Sequence, residues 1–167
     1  MKDVNPQMIH GHVDQTGANV YTEEEIDLPV IHSLEGAGAA LVVEILRIWL
    51  SGSGPEIVNA ALTAWTLHLS TRSETAAKTI GSEGVLAAQV IKHNIFDSAA
   101  TDGTVSTGFR RTLYCFELTD GQGNGVLVGS KKLYLGLNTV LGTVAAEGNC
   151  MILYRMKKVN ASELIGI

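Results

Sequence analysis

The sequence predicts an all-β chain: a two-sheet antiparallel β-sandwich of jelly-roll type with about eight strands. Three observations predict it. Several short runs alternate with a period of two, as at Trp65, Leu67 and Leu69 or at Ile152, Tyr154 and Met156. Glycine is abundant, at 18 of 167 residues, and aromatic residues make up only 5%, which suits short strands and many turns better than a helical bundle. Clusters of Gly, Ser, Asn, Asp and Pro separate the runs and supply turn residues.

Residues 1–20 are polar and lack a sustained apolar period, so they are expected to form an extended or flexible N-terminal arm that adds little to the core. A single sandwich domain is then expected over residues 21–167. Residues 20–30 set Tyr21, Glu23 and Glu25 against Thr22, Glu24, Ile26 and Leu28, a first strand ended by Pro29, which has no amide to donate. Residues 32–39 read as a loop. The run over residues 40–50 offers a helical face through Leu41, Ile45 and Ile48, but its β-branched content and its Gly, Ser and Pro flanks favour a buried strand. The turn that follows is short, so the next strand is expected beside it. That strand lies within residues 57–71. Residues 72–84 are a polar excursion with room for one helical turn at residues 74–78. Residues 85–96 fit either an amphipathic helix through Val85, Gln89 and His93 or a strand. Residues 97–108 are a loop of small residues.

The best-specified stretch is residues 109–137. An alternating run through Tyr114, Phe116 and Leu118 leads into Asp120-Gly-Gln-Gly-Asn-Gly125, and an apolar run with Leu133, Leu135 and Leu137 follows. Strand, glycine-rich turn, strand is the signature of a β-hairpin. Residues 139–149 read as another loop and residues 150–159 as the last strand. Asn160 and Glu163 have the spacing of a capping box, which predicts a short closing turn.

Composition narrows the function classes. With 46% hydrophobic and 17% charged residues the chain can build a core. A net charge of −5 argues against non-specific nucleic-acid binding by the whole surface. Cys115 and Cys150 sit in apparent strands outside any Cys-x-x-Cys pair, so two buried, reduced thiols are expected and no zinc site or disulfide framework. The N-terminus has no signal-peptide core. The longest apolar run, residues 36–50, is short and interrupted by Glu44 and Arg47, so no transmembrane segment is expected and synthesis in the cytosol is.

Few residues offer chemistry. His10, His12 and Asp14 would share one face of a strand and are the candidate metal ligands. The His-x-His pair also occurs in cupins, but Thr16 and Gly17 stand where that pattern wants a Glu, and a solvated polar arm is the plainer reading. In Asp120-Gly-Gln-Gly-Asn-Gly125 the calcium-ligand spacing of Asp120, Gln122 and Asn124 ends on Lys131 where a bidentate Glu is needed. The glycines lead into a strand and not into a helix N-terminus, so a turn is favoured over a phosphate loop. No Gly-x-Ser-x-Gly occurs. His32, His68 and His93 are isolated and read as structural, and Glu23, Glu24 and Glu25 read as a solvated strand edge. The basic pairs Arg110 and Arg111, Lys131 and Lys132, and Arg155 with Lys157 and Lys158 are the candidate nucleic-acid or subunit contacts.

In its order of arm, about eight strands and short tail, the chain resembles the small single-jelly-roll coat proteins of icosahedral viruses, particularly of the prokaryotic or uncultured type. The closest stretches are Asp120-Gly-Gln-Gly-Asn-Gly-Val-Leu-Val128 and Met151-Ile-Leu-Tyr-Arg-Met-Lys-Lys-Val159 with its tail to Ile167. The resemblance implies a self-assembling virion shell subunit without enzymatic activity or cofactor. Its partners would be copies of itself and, where the shell needs one, a second coat protein. One departure matters: Lys2 is the only Lys or Arg in residues 1–20, so the arm is not expected to bind nucleic acid strongly. Two alternatives stand beside this expectation. One is a carbohydrate- or receptor-binding module of a spike or fibre, using the loops at residues 72–84, 97–108 and 139–149. The other is a cupin-like metal-binding protein.

Overall fold

The computed structural model describes residues 5–34, 39–53, 63–93, 113–140 and 145–160. Among these, ten strands form: β1 (Gln7–Asp14), β2 (Thr22–Asp27), β3 (Ile31–Leu34), β4 (Ala39–Ser53), β5 (Thr63–Ser70), β6 (Val85–His93), β7 (Tyr114–Glu117), β8 (Val126–Val128), β9 (Lys132–Val140) and β10 (Glu147–Asn160). The first sheet runs β1-β10-β4-β3, with β7 and β8 also paired to β4, and the second runs β2-β9-β5-β6. Every pairing is antiparallel and the pairs are nested: β1 with β10, β2 with β9, β4 with β8 and β7, β5 with β6. A long hairpin rolled over so that its two arms alternate between two sheets gives this nesting, and it is the topology of a jelly roll.

The core lies between the sheets. Leu133, Leu135 and Leu137 of β9 and Ile45, Ile48 and Leu50 of β4, all fully buried, belong to one hydrophobic cluster there. The period-two pattern places them there, because alternate residues share a face. Leu46 of β4 is left unpaired opposite the step from Leu153 to Tyr154 of β10, and this extra residue lets Ile45 and Ile48, three apart in sequence, both face the core.

Several expectations differ from what the strands do. The Phe109–Leu137 stretch is not a hairpin. β7 and β8 both pair with β4, Tyr114 opposite Leu50 and Val128 opposite Val43, so they form one interrupted strand from which residues 118–125 loop out. The Leu118 amide still donates to the Leu46 carbonyl at 3.0 Å, which continues the ladder up to the loop. The apolar run at Leu133 crosses instead to the second sheet. The strand after β4 is likewise in the opposite sheet, where β5 pairs with β9 and β6. Residues 31–34 form β3 where a loop was expected, and residues 85–93 take the strand alternative. Residues 74–78 hold no helical turn; the Glu74 and Lys78 amides donate instead to Glu23 of β2 and His68 of β5 in the second sheet.

The N-terminal segment also departs from the expected arm. Gln7–Asp14 pairs along its whole length with β10, and Val13, 1% exposed, belongs to the core. The alternation was masked in the sequence because Gly11 occupies one inward position between Ile9 and Val13; a Cβ there would overlap Ile26. The expected boundary at residue 20 therefore divides two strands of one sandwich. The capping-box residues 161–163, the whole 97–108 loop and the arginines at 110 and 111 lie outside the described residues.

One close approach in the second sheet is testable. Gly136 of β9 faces the His68 ring and the Tyr21 hydroxyl, and a Cβ there would overlap both. Gly136→Ala is expected to cost about 1–3 kcal/mol, as overpacking does, read as a lower midpoint of thermal unfolding; an unchanged midpoint would mean that the two rings yield freely.

Candidate functional site

The outer face of the first sheet carries a groove of about 320 Å³. Strand register builds it. His10, Met151 and Trp49 stand opposite one another across β1, β10 and β4, and His12, Asn149 and Ser51 form the adjacent row. Leu113, 63% exposed, closes the side just before β7. The groove thus has an aromatic and a thioether side chain at its centre and small polar groups at one end. The Arg47 guanidinium lies 5.5 Å from the centre of the Trp49 ring and is bonded to Glu117, so it helps hold the ring.

His10, His12 and Asp14 share one face, as strand alternation requires. His12 engages both ring nitrogens: Nδ1 lies 2.8 Å from Asn149 Oδ1 and Nε2 lies 2.9 Å from Asp14 Oδ1. Two acceptors favour the doubly protonated ring. The bond to Asn149 raises its pKa above the usual histidine value, burial opposes this, and Asp14 raises it further. A metal needs an unshared nitrogen pair, which this arrangement occupies. Among the described residues no group of three or more His, Cys, Asp or Glu side chains is placed to hold a metal.

Among the described residues the basic candidates do not form one patch. Lys132, in the second sheet, pairs with Glu25 across the β2–β9 ladder, and its neighbour Lys131 is exposed. Arg155 and Lys157, in the first sheet, both turn to Glu44, while Lys158 is exposed. Glu44 is 0% exposed. It accepts from Arg155 Nε, from Lys157 Nζ at 3.1 Å and from the Gly125 amide at 3.1 Å. Burial alone would push its carboxyl up, but the bonds from Arg155, Lys157 and Gly125 outweigh it and hold it below the usual glutamate range. Arg155 Nη2 also donates to the Gly123 carbonyl at 3.0 Å. The cluster therefore anchors the 118–125 loop to the sheet.

That loop is closed on itself. Asp120 Oδ1 accepts the amides of Gln122 and Asn124 at 2.8 and 3.0 Å, and Gly121 and Gly123 take positive φ. The carboxylate that a calcium site would use is already engaged, and the bond from the Asn124 side chain is the largest cause holding its pKa below the aspartate norm.

Three features were not foreseen. Glu44 had a sequence signal: a lone acid in an apolar strand, with Arg155 and Lys157 two apart in the last strand. Trp49 had none beyond its strand. The cluster of Tyr21, Glu23 and His68 depends on a cross-sheet register that no local spacing records. Cys115 is exposed where burial was expected, while Cys150 is buried and its thiol is pushed up to about 12 by burial.

Neither a family model nor a curated protein matches the sequence. Solved structures do match. VP1 of Trichodysplasia spinulosa-associated polyomavirus, solved with GM1 oligosaccharide, superposes with a TM-score of 0.55 at 10% identity, covering 93% of this chain and 94% of that one. VP1 of Human Polyomavirus 12, solved with 3'-sialyllactosamine, gives 0.53 at 9% identity, with 93% and 100% coverage. Apo VP1 of New Jersey Polyomavirus gives 0.53 at 9%, with 93% and 99%. At this identity the likeness speaks to the fold alone, and over nearly its whole length the chain is a jelly-roll sandwich of the kind seen in these viral VP1 chains.

Proposed function

We propose that this chain is a structural, self-assembling coat subunit of a virion, made in the host cytoplasm and without enzymatic activity. The observation that carries the reading is the nested two-sheet fold, which superposes on viral VP1 chains over 93% of this chain. Its partners are copies of itself, with a second coat protein as the further arrangement, and the prokaryotic or uncultured virus type remains the finer form of the reading. Arg110, Arg111, Lys131 and Lys158 are the contact candidates; Lys132, Arg155 and Lys157 have carboxylate partners within the subunit. Negative-stain electron microscopy and sedimentation of the purified chain test this, with capsomers or shells as the expected result and a monomer at every concentration, with no coat partner that recruits it, as the opposing one.

A second reading has its own observation. The groove sets the Trp49 ring beside His10, Ser51 and Asn149, an apolar surface next to polar groups such as a carbohydrate ring uses. Some of the VP1 neighbours were solved with oligosaccharides. Glycan-array binding that disappears in Trp49→Ala supports this reading, and binding unchanged by that substitution removes the groove from it.

A further inference from the structure

His68 is the one histidine whose described side chain is fully buried, and it lies on the outer face of the second sheet, beneath residues 72–78. Its ring stacks on Tyr21, with centroids 6.0 Å apart and planes 11° from parallel. Its Nδ1 accepts the backbone amide of Lys78 at 3.5 Å. The neutral ring therefore carries its proton on Nε2, which is buried and has no partner among the described residues. The same segment is held a second time through Glu23 of β2. Glu23 accepts Ser73 Oγ at 2.7 Å on one oxygen, and the Glu74 amide at 2.9 Å and the Tyr21 hydroxyl at 2.8 Å on the other. Glu74 then binds Arg72 at 2.8 Å and Lys78 at 3.3 Å.

We propose that residues 72–78 are an acid-released strap over the outer face of the second sheet, latched by His68 and Glu23. This goes beyond the coat reading and does not depend on it. The latch works by exclusion. A proton arriving at Nδ1 would set an N–H against the Lys78 N–H, two donors facing one another, so the protonated ring and the closed strap are incompatible. Protonation at Nδ1 also leaves two ring donors buried, and water reaches them only when the strap lifts.

The charged and titratable groups around the ring do not rescue it. Glu23 has both oxygens engaged in holding Tyr21 and the strap, and Glu74 is paired with Arg72 and Lys78. Lys78 adds an unfavourable positive charge, and β9 and β6 present Gly136 and Ala88, which do not titrate. Burial accordingly lowers the His68 pKa from its ordinary 6.5; Glu23 and Glu74 oppose this and Lys78 adds to it. The sign follows. With the closed-state pKa below the open-state value, closure is complete above about pH 6.5 and weakens as pH falls below it.

Hydrogen exchange of the Glu74 and Lys78 amides, corrected for the intrinsic rate at each pH, tests the latch in the full chain. The opening constant is expected to rise by up to about tenfold per pH unit below about pH 6.5, while β4 and β9 amides stay protected. His68→Gln, whose side-chain oxygen still accepts the Lys78 amide, and His68→Phe are both expected to lose this slope. A flat wild-type profile, or the same slope in the variants, overturns the proposal. Should both variants fail to fold, the wild-type ring titration by NMR decides. A midpoint below 6.5 that coincides with loss of strap protection supports the latch, and a midpoint at or above 6.5, or strap protection unaffected by it, overturns it.

Discussion

Deletion of residues 1–14 is expected to cost at least about 4 kcal/mol or to abolish folding, a large part of the 5–15 kcal/mol by which a domain of this size is stable. Three losses combine. The ladder from Gln7 to Asp14 against β10 disappears and leaves a central pairing strand as a bare edge. Val13 leaves the core, Ile9 no longer packs against it, and each such side chain is worth roughly 1.5–3 kcal/mol when fully buried. The bond from the Tyr154 hydroxyl to Gln7 Oε1 at 2.8 Å is lost. Just beyond the cut, Gln15 holds the Thr139 hydroxyl and the Ala146 amide at 3.0 and 3.1 Å, contacts that depend on β1 to position them. Urea unfolding should show a lower midpoint or no cooperative transition. An unchanged midpoint would mean that β1 is dispensable to the subunit, as an arm would be.

Glu44→Ala is expected to lower stability by about 2–3 kcal/mol, and the unfolding temperature by about 5–10 °C for a chain of this length. Removing one member of a buried ion cluster strands its partners, which typically costs 3–5 kcal/mol. The lower figure applies here because the Arg155 and Lys157 side chains are 28% and 40% exposed and can regain water. The loss should also free the 118–125 loop, whose Gly125 amide and, through Arg155, Gly123 carbonyl are tied to this carboxylate. The pH dependence has a definite sign. Arg155, Lys157 and Gly125 hold the folded carboxyl below its unfolded value of 4.5, so its contribution is full above that pH and is lost as pH falls through the folded value. Glu44→Gln should therefore flatten the acid limb of the stability curve below about pH 4.5 and leave the limb set by His68 near pH 6.5 in place. Calorimetry across pH 3–8 checks both.

The fold was legible wherever one face of a strand carried its own apolar set. Leu133, Leu135 and Leu137 on β9 and Trp65, Leu67 and Leu69 on β5 announce strands and their inward faces without help from the rest of the chain. Partner choice was not legible. Nothing local distinguishes a run that turns back on its neighbour from one that crosses the core, which is why residues 109–137 read as a hairpin while β7 and β8 lie along β4. β1 was hidden by a different cause: Gly11 fills an inward position because Ile26 and Cys150 leave no room for a side chain, so the apolar alternation is broken where packing is tightest. The groove and the Glu44 cluster are products of register. Trp49 meets Met151 and His10, and Glu44 meets Arg155, only because β10 pairs on both sides, with β1 and with β4. A residue spacing within one strand can place a side chain on a face, but the row it joins belongs to three strands.

The coat-subunit reading is tested most directly by electron microscopy of the purified full chain over a rising concentration series, alone and with the co-expressed products of its source. Closed capsomers or shells built from copies of this sandwich are the expected result, appearing cooperatively with concentration or on addition of a second coat protein. A monodisperse monomer throughout, with no coat partner that recruits it, would contradict it.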